Sequence, residues 1–350
     1  MAEFDPRGPA APGATLGDWL DERAEALDQG ICDPEVLLPQ LAEGGCFGQG
    51  VAPLLGGSGG TLGDAVEGIA WLAEHSLTAA FVCWGQRAFI EYLLQSPNGG
   101  LRDRLLPRLL SGDLAGATGL SNAMKFLSGL EQLQIEARRT EHGWRLTGCM
   151  PWVTNLRKSG FVVAGAVARA GEARPFVTAL ASQSAGLRRS SDLQLMGLQG
   201  SNTAALTLTD VELTEDWLLH DEARLYLPRV RPAFLGLQCG LAIGLARRSL
   251  AEAQRLEGEG RRALQAELDA LGEALERAAC GGCTKDWRTS ASSSNQQSCS
   301  ACASPWPNRP PRRCNWSCKP VAAAPICVSA ARPSRGAGGR LPSCPSSPPA

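Results

Sequence analysis

Leu146-Thr-Gly-Cys-Met-Pro-Trp-Val-Thr-Asn155 is the stretch on which the fold turns. Its apolar and polar residues read as an extended strand that ends at Thr154. Gln132–Thr140 is a second strand-like run, and the two are joined around His142-Gly143, a hairpin signal. Phe161–Ala168 and Phe176–Ala181 continue the pattern around the turn residues Gly171 and Pro175. Leu206 and Leu208 alternate with Thr207 and Thr209, as on a half-buried strand. Residues 116–222 are therefore expected to form a small β-barrel or sandwich.

The flanks change period. Residues 1–115 read as an N-terminal helical domain: Leu16–Leu27, Val36–Leu41, a helix capped by Thr61 with Val66, Ile69, Leu72 and Ala73 on one face, and Leu101–Leu110 ending near Gly112. Helix returns at about residue 230, and Ala263–Ala278 is expected to be a second helix with Leu264, Leu268, Leu271 and Leu275 as its stripe. Gly236, Gly240 and Gly244 share one helix face and permit close helix contact, either as an oligomer or domain interface or as internal packing. Residues 223–279 then begin an incomplete C-terminal helical bundle, and the fold class is α+β.

Leu146–Asn155 resembles the flavin-covering segment of the acyl-CoA dehydrogenase family, where a strand runs Leu-x-Gly-x-Lys-x-Trp-Ile-Thr-Asn. Met150 stands at the lysine position. In that family the Trp packs on the flavin ring system and the Thr hydroxyl bonds near the reactive flavin nitrogen. The matching positions are Trp152 and Thr154. Leu109–Asn122 resembles the family's entry into its β-domain, whose last hydroxyl residue and neighbours hold the flavin pyrimidine end. That role carries over to Leu120 and Ser121. Asn122 replaces the usual Glu, and the Gly-Ser-Asp that normally follows is absent. Met196–Thr203, followed by Leu206–Leu213, resembles a third family signature, with Gln199 in place of an Arg.

The resemblance implies FAD and dehydrogenation of an acyl-CoA or related thioester. A carboxylate base takes the α-proton while hydride leaves the β-carbon. It also implies a homo-oligomer, with an electron-acceptor flavoprotein or oxygen as the oxidant. A flavin-dependent monooxygenase of the same fold, and a noncatalytic flavin- or acyl-thioester-binding protein, are the alternatives. The family's catalytic Glu lies in its C-terminal domain, and no residue here matches it, so the catalytic residues stay unknown.

Composition bounds these readings. A formal net charge of −1 gives no reason to expect nucleic acid or an anionic membrane. Met1–Gly13 lacks a signal peptide's basic start and apolar core. Pro232–Ala246 is shorter than the ~20 residues a membrane span needs. A cytoplasmic protein is expected. Gly56–Gly60 lacks the Gly-Lys-Ser/Thr of a phosphate loop, and His75, His142 and His220 form no metal or triad pattern.

Of thirteen cysteines, eight fall after residue 279. From Cys280 to Ala350 nine Lys or Arg face one acid, Asp286, and Leu341 is the sole leucine. This composition builds no helical core, so disorder is expected. Cys280-x2-Cys283 and Cys299-x2-Cys302 have the spacing of a four-thiolate zinc site. With the basic tail, that would make a nucleic-acid binder. The competing reading is a shifted frame, with no metal. Codons for Arg313–Ile326 can be chosen so that the third-base frame encodes Leu-Gln-Leu-Glu-Leu-Gln-Ala-Cys-Gly-Gly-Arg-Ala-Tyr. That is an amphipathic helix end followed by a turn resembling the family's Gly-Gly-x-Gly-Tyr passage. Agreement with the middle segments favours the shifted frame.

Overall fold

The computed structural model describes residues 15–256 and 258–284. Five helices come first: α1 (Leu16–Asp28), α2 (Leu37–Glu43), α3 (Leu62–His75), α4 (Leu77–Gln95) and α5 (Gly99–Leu110). Two of them start on the same device. Thr15 and Asp18 cap α1 by exchanging backbone and side-chain hydrogen bonds, and Thr61 and Asp64 do so for α3. Each box satisfies amide N–H groups that a first helical turn leaves open. The helix α4 is buried nearly all round, so it forms the axis on which the other elements pack.

The chain then enters β1 (Ala115–Thr118), the short α6 (Ser121–Leu127), β2 (Ile135–Thr140), β3 (Gly143–Val153), β4 (Phe161–Arg169), β5 (Phe176–Ala181), β6 (Leu187–Asp192), β7 (Ala204–Leu213) and β8 (Leu218–His220). The expected hairpin is β2–β3, closed at Thr140↔Gly143. One path runs β6-β7-β3-β2-β4-β5-β8, and β1 also pairs with β4. Parallel to the first half of β4 lies β1 (Thr118↔Ala164), and parallel to its end lies β2 (Ala137↔Arg169). Two strands thus share one edge of β4, and the middle region is a mixed sheet whose halves diverge there. Leu206 and Leu208 face inward and Thr207 and Thr209 outward, as their alternation predicts.

The last three helices among the described residues are α7 (Ala223–Arg255), α8 (Glu259–Ala263) and α9 (Gln265–Thr284). The long α7 starts seven residues before the expected 230 and runs through Pro228 and Pro232. Both prolines sit on its exposed side, while Tyr226, Leu227, Val230, Ala233 and Phe234 are buried. Burial of that face outweighs the lost N–H groups. The glycine face resolves as internal packing. A Cβ on Gly240 would lie 2.7 Å from the Val66 oxygen, and one on Gly244 would lie 2.6 Å from the Ala73 Cβ. Thus α7 rests directly on α3.

Of the four leucines expected as a stripe on α9, Leu268 and Leu275 are half-buried. Leu264 precedes α9, and both it and Leu271 are exposed. Charge also ties α9 to the bundle. Buried Arg247 of α7 reaches Glu276 of α9 at 2.9 Å and Glu67 of α3 at 2.7 Å, with Glu74 at 3.6 Å.

Among the described residues no helix is long and apolar enough to cross a membrane. Nor does any group of three or more His, Cys, Asp or Glu there suit a metal ion. The zinc and shifted-frame readings of 280–350 fall outside the described residues, apart from the backbone of the last turn of α9.

Candidate functional site

The two segments singled out in the sequence meet. Gly119, just past β1, abuts β3: a Cβ on it would run into the Met150 sulfur and come within 2.7 Å of the Ala164 oxygen. This close approach brings the turn Gly119-Leu120-Ser121 beside the strand end Met150–Thr154. The Gly119 N–H donates to Ala164 O at 2.9 Å, and the Leu120 N–H to the Thr118 hydroxyl at 3.4 Å. Tyr92 of α4 bonds the same hydroxyl at 2.8 Å, and burial pushes its phenol pKa up.

The four expected residues present different faces. Leu120 is fully buried, its N–H donates to Thr118 and its carbonyl accepts from Met124 N at 2.9 Å, so the structure does not present this residue to a ligand. Ser121 is exposed at the start of α6. Trp152 is 64% exposed, an unusual position for an indole. It owes that exposure to a break in the β3–β7 register between Met150 and Val153, which leaves Pro151 and Trp152 both turned outward. Thr154 is buried, and its hydroxyl bonds that of Thr203 at 3.1 Å. The Thr203 hydroxyl in turn bonds Ser201 at 2.7 Å. Three hydroxyls carry three protons, and these two bonds use two of them. The third proton remains for a partner outside the chain of hydroxyls.

Several contributors were not singled out in the sequence. Ser201 and Thr203 come from the third family-like segment, whose loop is pinned by Asp28 of α1 accepting from Leu198 N at 2.7 Å. Asn202, between them, is left-handed (φ 52°) and buried, and its Oδ1 has no hydrogen-bond partner. Asn155 is also left-handed (φ 64°) and joins Gln86 of α4 to Gly116 of β1. The Asn residues could be anticipated from their tolerance of that conformation. Nothing in the sequence marks Gln86.

An open indole plane on the strand end that also carries a buried chain of hydroxyls with one uncommitted proton, and an exposed serine on the neighbouring turn, suit a flat ring bearing hydrogen-bonding edges. The orphaned Asn202 oxygen adds an acceptor in the adjoining loop. A flavin meets that description. Trp152 would cover its ring, while Thr154 and Ser121 would bond its polar edge. None of these side chains titrates near neutrality, so the cradle binds and orients and does not itself move protons.

No family model matches the sequence, and no curated protein matches it. The structure, in contrast, resembles many solved ones. Butyryl-CoA dehydrogenase from Megasphaera elsdenii superposes with a TM-score of 0.65 at 19% identity, over 76% of this chain and 74% of that one. Glutaryl-coenzyme A dehydrogenase in complex with glutaryl-CoA gives 0.65 at 16% identity, over 77% and 74%. Dibenzothiophene monooxygenase from Paenibacillus sp. A11-2 gives 0.64 at 14% identity, over 77% and 72%. At these identities the likeness is one of fold. Helices, mixed sheet and helices in this order give the chain the fold of the acyl-CoA dehydrogenases.

Proposed function

We propose that the chain is an FAD-binding, acyl-CoA dehydrogenase-like oxidoreductase whose activity is impaired. One observation carries the binding part: the exposed Trp152 stands on the same strand end as the buried Thr154 hydroxyl and as Met150, against which Gly119 packs. The flavin, when bound, would accept the hydride released from an acyl thioester. The chain's own part is to hold the ring on Trp152, to meet its edge with the Thr154 hydroxyl, and to keep water from the covered face. The impaired part rests on the absence of a match to the family's base, and on a tail read as frame-shifted.

Titration with FAD tests the binding part. Flavin absorbance and tryptophan quenching should report saturable, weak binding, and Trp152→Ala should weaken it about tenfold, the scale of a lost aromatic stack. Normal turnover of an acyl-CoA with an electron acceptor would overturn the claim of impairment. Sequencing the gene across codons 260–350 and past the stop tests the tail. A one-base correction restoring a Leu- and Glu-rich helix supports the shifted frame, and an unbroken frame rejects it.

A flavin-dependent monooxygenase is the second reading, favoured by Asn122. Its Nδ2 donates to Glu131 at 3.0 Å and to Gln132 O at 2.9 Å, so both amide protons are spent within its own loop. Dependence on a flavin reductase and oxygen would select that reading. Ligand binding without any turnover would select a noncatalytic binder.

A further inference from the structure

Gly116 sits in β1, and β4 covers only one edge of that strand. On the other edge no strand among the described residues supplies hydrogen bonds, yet both polar groups of Gly116 are satisfied. Its N–H donates to Gln86 Oε1 at 2.6 Å, and its carbonyl accepts from Asn155 Nδ2 at 2.9 Å. The same Asn155 Nδ2 donates to Gln86 Oε1 at 2.9 Å. Gln86 completes its set by donating Nε2 to Leu109 O and Leu114 O, each at 2.9 Å. Two donors and two acceptor sites are all that a carboxamide has, so Gln86 is saturated and its orientation fixed. Both amides are buried, Gln86 at 0% and Asn155 at 1% exposure. Together they stand in for a missing strand.

Their placement matters for the cradle. Gly116 lies three residues before Gly119, and Asn155 directly follows Thr154. We propose that Gln86 and Asn155 are a positioning pair that locks the Gly119–Ser121 turn to the Trp152–Thr154 strand end, and thereby sets the geometry in which a flavin is held. Both side chains are buried, so the pair acts through the backbone it holds. The inference rests on the flavin-binding reading for its consequence, and on the hydrogen bonds alone for the coupling.

Asn155→Gly tests it, because glycine keeps the left-handed backbone and removes the amide together with a single methylene. Hydrogen exchange of the 115–121 peptide, distant in sequence from the substitution, should rise about tenfold, while exchange in α3 and α7 stays at parent rates. The FAD dissociation constant should rise about tenfold, with a shifted absorption spectrum for the bound flavin. Gln86→Met should reproduce both effects, and the double variant should be no worse than the more severe single variant. Should Gln86→Met fail to fold, Asn155→Gly alone decides. Exchange at 115–121 unchanged in Asn155→Gly overturns the coupling. Flavin affinity and spectrum unchanged despite faster exchange overturn the positioning role. A parent chain that binds no FAD overturns the functional reading and the pair's role in holding flavin, and leaves the exchange result to judge the coupling.

Discussion

Replacing Gly244 with alanine tests the contact on which the two helical regions depend. The added Cβ would lie 2.6 Å from the Ala73 Cβ and 2.8 Å from the Ala70 carbonyl carbon, with the Ala70 oxygen closer still. Carbon atoms settle at about 3.5–4.0 Å, so α7 must retreat from α3 by about 1 Å. The obstacle is backbone as well as side chain, and backbone has no rotamer to change. Overpacking of this kind costs about 1–3 kcal/mol, and we take the upper half because a helix axis must move. Alanine returns about 1 kcal/mol of helix propensity. The net loss is about 1–2 kcal/mol, a fall in Tm of about 2–8 °C for a chain of this size. Gly272 of α9 is the control, since its Cβ would meet nothing within 4 Å. Gly272→Ala should gain up to about 1 kcal/mol. Urea unfolding followed by circular dichroism measures both. A Gly244→Ala chain as stable as the parent would show that α7 does not lie on α3 as described.

Arg247→Met should loosen α9. It strands the carboxylates of Glu67 and Glu276, but these are partly solvated, so the cost is about 1–3 kcal/mol, and protease cleavage within 256–284 should accelerate. Asp216 provides a pH test. The Thr214 hydroxyl holds its carboxyl below the ordinary 3.8, burial opposes this, and Arg104 adds to the lowering. A folded-state pKa below the unfolded one contributes stability that is present above the unfolded value and is lost as pH falls through the folded value. Asp216→Asn should therefore flatten the fall of Tm below about pH 4, and an unchanged slope would count against the assignment. Burial drives the Cys83 thiol up to about 12 and Cys46 well above its ordinary value, whereas Cys239 is exposed. Iodoacetamide at neutral pH, mapped by peptide, should mark Cys239 and spare Cys46 and Cys83 until the chain unfolds, and early labelling of Cys83 would contradict its burial.

Much of the architecture was legible where periodicity is long and local. The hairpin at His142-Gly143, the alternating strand at Leu206–Thr209 and the cap at Thr61 are each encoded within a few residues. Ala115–Thr118 was not legible as a strand, because Ala-Gly-Ala-Thr has little β-propensity and forms a strand by pairing with β4. The early start of α7 was hidden by Pro228 and Pro232, whose local penalty is overcome by burial of the opposite face. At the site, Trp152 and Thr154 stood out through their motif. Gln86 did not, since its meaning lies in partners 23 to 69 residues away. The helix α9 was legible from its leucine spacing, but which of those leucines are covered was not, because spacing reports that a face is apolar and says nothing of the partner.

The packing of α7 on α3 and α4 also sets a schedule for synthesis. Trp84 and Phe234, whose rings and backbone meet in the finished bundle, are 150 residues apart. At about 5–20 residues per second, a ribosome needs about 8–30 s to pass from one to the other. Throughout that interval the faces of α3 and α4 that α7 will cover are without their partner, and the strands emerging between them pair over long loops. A nascent chain in this state offers apolar surface to chaperones and to its neighbours on the polysome. Recovery of folded protein is then governed by translation speed and chaperone supply, before the stability of the finished structure enters at all.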